Sequence, residues 1–149
     1  MPNIIIRIPE GVFDQAARET LATGVHAAAK AVERWGDDPR QEFLTWIVLE
    51  EVKAGYLFAA GRDPLSQAIP VIALVFPPAG VIDAAGRADL VRRIHAAIAA
   101  AKPETDARTL MTSVIIREVA DGHWGAGGKL WHLPDFARAA GYAHLQHLV

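Results

Sequence analysis

The chain contains no cysteine, which excludes a disulfide framework, a thiolate nucleophile and a zinc–thiolate centre. It has no excess of one charge, with 15 Lys and Arg against 17 Asp and Glu and no basic run, which argues against a nucleic-acid partner. Long apolar runs are missing too. The most apolar stretch, Ala68 to Ile82, is interrupted by Pro70, Pro77 and Pro78 and falls short of the roughly 18 residues that span a bilayer. The start, Met1-Pro2-Asn3-Ile4-Ile5-Ile6-Arg7, has too short an apolar run for a signal peptide, so no membrane association and a cytoplasmic location are expected. What is present, 149 residues with 52% apolar and 21% charged, suits one globular domain whose partner is a small molecule or another subunit.

The chain repeats itself. Residues 9–32 lie over 78–101 at a shift of 69 with eleven identities. Seven of these are not alanine and include Pro9/Pro78, Gly11/Gly80, Asp14/Asp83, Arg18/Arg87 and His26/His95. Further on, Thr45 to Gly61 lies over Thr112 to Gly128 at a shift of 67, sharing Glu51/Glu118, Val52/Val119 and Gly55/Gly122 among others. Two pseudo-repeats, about 2–61 and 70–130, and an extension over 131–149 are therefore expected within one domain.

Each unit reads as strand, helix, strand. Ile- and Val-rich runs at 3–8 and 70–76 end at proline, which cannot donate to a sheet ladder. Asp14 and Asp83 are N-caps for helices whose apolar positions, Leu21, Val25, Ala28, Val32 and Leu90, Ile94, Ala97, Ala101, follow the 3.6-residue period. Phe43–Val52 and Leu110–Val119 are the second strands. A βαβ crossover makes the two strands of a unit parallel, so the expectation is an α+β fold with a four-stranded sheet and both helices on one face. The other face needs cover, which oligomerisation would supply. The glycine-rich segments 55–61 and 122–128 read as hairpins able to reach a neighbouring subunit, and Leu133–Gly141 as a further short helix.

Pro2 follows the initiator methionine. Removal of Met1 would leave a secondary amine whose ammonium form is disfavoured by desolvation, a general base that needs no histidine. With Met1 retained, the Pro2 nitrogen is an amide without basicity. Pro2, two βαβ units, the Pro-x-Gly turns and the segment Glu118-Val119-Ala120-Asp121-Gly122-His123-Trp124-Gly125-Ala126-Gly127-Gly128 together resemble the tautomerase superfamily. The nearest pattern is that of 4-oxalocrotonate tautomerase. The resemblance covers residues 2–130, and the doubled length is similar to fused members such as malonate semialdehyde decarboxylase and cis-3-chloroacrylic acid dehalogenase, which are trimers.

The resemblance implies a cofactor-independent tautomerase with Pro2 as catalytic base, Trp124 as a pocket wall, a homotrimeric assembly and an enol or 2-oxo compound as substrate. It also implies arginines that this chain lacks. Val12 and Val81 stand in the turns where the family places one, and Trp46 and Ser113 where it places another. A dicarboxylate is disfavoured accordingly. Trp46 stacking on a substrate ring, Ser113 and Arg117 on one face of the second unit's later strand, and Arg7 are the candidate replacements. A dehalogenase or decarboxylase using protonated Pro2, with Glu42 as the nearest acid, and a non-catalytic binding protein are the rival readings. No metal is expected at His144 and His147, and His26 and His95 are expected to share a packing role.

Overall fold

The computed structural model describes residues 1–149. In chain order, β1 (Asn3–Pro9) leads to α1 (Gln15–Glu33), the short α2 (Pro39–Glu42) and β2 (Trp46–Val52). The second half repeats this with β3 (Ala68–Phe76), α3 (Ala84–Ala101) and β4 (Thr109–Ile116). A hairpin of β5 (Trp124–Ala126) and β6 (Lys129–Trp131), α4 (Leu133–Ala140) and a 3-10 turn (Ala143–Leu148) complete the chain.

The four main strands form one sheet in the order β2-β1-β3-β4. Strands β1 and β2 are parallel, β3 and β4 are parallel, and β1 meets β3 antiparallel at the centre. Alternation along the strands sends Ile4, Ile6, Ile8, Ile69, Val71, Ala73 and Val75 to the face under the helices, where they are buried. Leu21 and Val25 of α1 and Leu90, Ile94 and Ile98 of α3 meet them. The two helices pack closely at Gly24, where a side-chain carbon would sit 2.9 Å from Ala97 Cβ.

The duplication is visible in detail. Asp14 caps α1 by accepting from the Ala17 amide at 2.8 Å, and Asp83 caps α3 by accepting from Gly86 at 2.7 Å. Arg18 pairs with Glu51 at 3.4 Å, and Arg87 with Glu118 at 3.4 Å, tying one helix start to the end of β2 and the other to the segment just after β4. The two histidines diverge. His26 packs edge-on against Trp35, whereas His95 Nδ1 bonds Thr112 Oγ1 at 2.8 Å.

The bounds of both second strands differ from those expected. The first unit's second strand begins at Trp46, because Asp38 caps α2 and Phe43 to Thr45 close the turn that follows it. The second unit's ends at Ile116, and Val119 only bridges to Pro78. The β5–β6 hairpin lies on its own chain, with Trp124 and Trp131 each against Phe136 of α4. The tail is part of the core, since Phe136, Ala137, Ala140, Tyr142 and Leu145 are buried. No helix is long and apolar enough to cross a membrane.

Candidate active site

The site is built around the start of β1, where Met1 and Pro2 are both buried. Beside them lies a cavity of about 320 Å³ lined by Met1, Asn3, Leu44, Trp46, Trp124, Trp131 and the backbone of Gly125 to Gly127. Trp46 opens β2 directly opposite Asn3, and Trp124 opposite Trp131 closes the hairpin over the other side. Three indoles therefore wall a space next to Pro2.

Behind Met1 is a polar cluster. The buried stripe of α1 runs Leu21, Val25, Ala29 and then, one turn on, Glu33, which has no exposed surface. Arg34 ends the helix in the left-handed conformation, with φ 58°. The chain then turns back so that Trp35 Nε1–H donates to Glu33 Oε2 at 2.7 Å. The tail is tied to the same helix end, with Gly36 N donating to Ala140 O at 3.2 Å and Ala143 N to Arg34 O at 3.1 Å. These bonds bring Tyr142 Oη to Glu33 Oε2 at 3.0 Å. The Met1 ammonium completes the cluster, donating to Glu33 Oε2 and to Tyr142 Oη, the latter at 2.6 Å. Glu33 Oε1 has no partner.

Burial and charge oppose each other here. Desolvation pulls the Met1 amine down from 8.0 to about 6, while the Glu33 carboxylate raises it. Burial first, and then the Glu33 charge, push the Tyr142 phenol far above its ordinary value, so it remains a hydrogen-bond donor.

Of the residues expected at the site, Trp46 and Trp124 line this cavity, and Pro2 lies in the chain between Met1 and Asn3, which also line it. The structure does not bring Ser113 or Arg117 to this cavity. Arg117 ends a row across the sheet, Trp46–Asn3–Phe76 and then Arg117, two strand spacings or roughly 10 Å from Asn3. Ser113 pairs with Ile72, four residues back along β4 and about 13 Å below that row. Arg7 is held by Glu50 at 2.8 Å on the neighbouring strand. Glu42 is bound by Lys30 and lines a different cavity with His26, so the acid beside the terminal amine is Glu33. His144 Nε2 bonds the Val81 carbonyl at 2.8 Å, and no three metal-ligating side chains converge anywhere.

Sequence reasoning missed Glu33, Trp35 and Tyr142. One signal was available for Glu33: it is the charged residue on the apolar stripe of α1, four positions after Ala29. Nothing local in the sequence links Tyr142 to it across more than a hundred residues.

A tandem βαβ chain with a buried Pro2 at the head of β1 and an aromatic-walled cavity beside it defines a fold shared with known structures. No family model matches the chain, and no curated protein matches its sequence. Among solved structures, native fused 4-OT is 20% identical over 93% of this chain and 98% of its own, with a TM-score of 0.69. The fused 4-OT called Q0, a symmetric trimer, is 18% identical over 95% and 98%, at 0.68. Pt0534, captured after inactivation by 2-oxo-3-pentynoate, is 13% identical over 86% and 94%, at 0.68. The chain shares the fold of these fused 4-OT structures over nearly the whole length of both.

Proposed function

We propose that this protein is a cofactor-independent tautomerase in which Pro2, freed by loss of Met1, moves a proton between the enol and keto forms of a carbonyl compound. The observation that carries this reading is the burial of Pro2 between Met1 and Asn3, which both line a cavity walled by Trp46, Trp124 and Trp131. In such a space the ammonium form of a terminal secondary amine is poorly solvated, so the neutral amine is available to take a proton and return it at another atom. The indole walls suit an aromatic or otherwise apolar substrate. The reading includes a homotrimer, supported by the trimeric assembly of a fused neighbour and by the apolar sheet face left open in one chain. It also includes a small-molecule enol or 2-oxo substrate, without nucleic acid or membrane.

The test is ultraviolet-monitored ketonisation of phenylenolpyruvate and 2-hydroxymuconate by mass-verified Met1-free protein beside its Pro2→Ala variant. The expected outcome is proline-dependent turnover that falls by about 10²–10⁴ in the variant, with the aromatic monoacid preferred to the diacid. Equal rates in the two proteins would reject it.

A second reading is favoured by Glu33. A carboxylate this close to the terminal amine stabilises its protonated form, which suits Pro2 as a general acid in dehalogenation or decarboxylation. Release of halide from a 3-haloacrylate, or of carbon dioxide from a 3-oxo acid, with no ketonisation, would select it.

A further inference from the structure

Met1 links the apolar cavity to the Glu33 cluster. The residue lines the cavity, and its amine donates to Glu33 Oε2 and Tyr142 Oη. The Met1 ammonium therefore stands where the donor group of a ligand would stand. Glu33 is fully buried and its Oε1 has no partner, a state that costs free energy unless something engages it. No lysine or arginine lines the cavity. Lys30, the nearest in sequence, is occupied by Asp37 at 3.0 Å and by Glu42, and Arg7 by Glu50.

We propose that loss of Met1 joins the cavity to Glu33 and Tyr142, and that this pair selects an aromatic-sized ligand presenting a hydroxyl or a protonated amine there, and rejects a carboxylate. The proposal rests on the functional reading above for the processing of Met1, but not for proton transfer.

Losing one residue vacates both the volume of its side chain and the acceptor positions its amine filled. The Pro2 nitrogen lies within about 4 Å of the former amine along the chain, so Pro2 and Glu33 face the same space. Glu33 Oε2 keeps its bonds from Trp35 and Tyr142, which hold the carboxylate in place, and Oε1 remains open. A ligand donor is then received by oriented acceptors. A ligand carboxylate would instead meet like charge beside three indoles, with no lysine or arginine lining the space to offset it.

Three isosteric probes share one aromatic two-carbon frame: 2-phenylethanol, 2-phenylethylamine and phenylacetate. Their equilibrium binding to Met1-free protein is read by quenching of indole fluorescence. The expected result is that the alcohol or the amine binds at least about tenfold tighter than phenylacetate, and that the Met1-bearing protein binds none of them. The leader of the first two tells a hydroxyl from an ammonium ligand. Glu33→Gln is expected to bring the probes within about threefold of one another. Should that variant fail to fold by circular dichroism, Tyr142→Phe is the second arm, expected to weaken the preferred probe several-fold while leaving phenylacetate unchanged. Phenylacetate binding as tightly as the others, no binding by any probe, or an order unchanged in the folded variants would overturn the proposal. Pro2→Ala separates the two readings: an intact probe order without proline-dependent turnover rejects the tautomerase alone, and the converse rejects this inference alone.

Discussion

At the residue scale the decisive group is Glu33, because its charge opposes the burial that favours the neutral form of the Met1 amine. In the Met1-bearing protein the amine titrates near 6, with burial winning over the carboxylate. Replacing Glu33 by Gln removes the group that raises this value and leaves desolvation unopposed. Titration of selectively ¹⁵N-labelled Met1, followed by NMR, should show a midpoint near 6 in the parent and a lower one in Glu33→Gln. A midpoint that rises or stays would mean that the carboxylate does not face the amine. The sign for stability follows from the same shift. The folded amine releases its proton below the unfolded value of 8.0, so its contribution is present above pH 8 and is lost as pH falls through about 6. Glu33 also marks how far the sequence could be read. Its position on the stripe Leu21, Val25, Ala29 was legible, but its purpose was not, because Tyr142 and Trp35 reach it only through the turn after Arg34 and the folded-back tail.

At the element scale the structure turns on the junction between α1, α2 and α4. The strands, the helices and both N-caps follow from local pattern, since Asp14 and Asp83 each precede an apolar period that only a helix can satisfy. The tail carries less local signal. Its helix was readable from Pro134 and Gly141, but its docking depends on surface complementarity that no short window contains. Gly141 is the point of closure: it caps α4 at φ 64°, and a Cβ there would run into the side-chain amide of Gln41. Gly141→Ala should therefore cost about 1–2 kcal/mol from the left-handed backbone alone, measured by urea unfolding. Because Tyr142 follows directly, the same variant should weaken the ligand order set by Glu33 and Tyr142. Unchanged stability would show that α4 is not held where these contacts place it.

At the scale of the whole molecule, duplication explains why half the sheet is covered and half is not. Each unit contributes one helix, and both helices fall on the face of Ile4, Ile6 and Ile8. The opposite face presents Trp46, Val48, Met111 and Ile115, each about half exposed or more in the single chain. Arg7 and Glu50 form an ion pair among them, so the face is mostly apolar with one polar lock. That face was predictable from strand alternation, whereas the poor placement of Ser113 and Arg117 was not, since it depends on β4 lying two strands from β1. If this face is the trimer interface proposed above, Ile115→Lys should leave the fold of the chain intact, because a substitution at a half-exposed position of a monomer changes stability by only about 0.5 kcal/mol. In the assembly the same lysine would be buried without a partner, and sedimentation velocity should show trimer giving way to monomer. Trp46 belongs both to this face and to the wall of the Pro2 cavity, so dissociation should also loosen the cavity and reduce turnover. A variant that remains trimeric with full activity would place the interface elsewhere and leave the apolar face without an occupant.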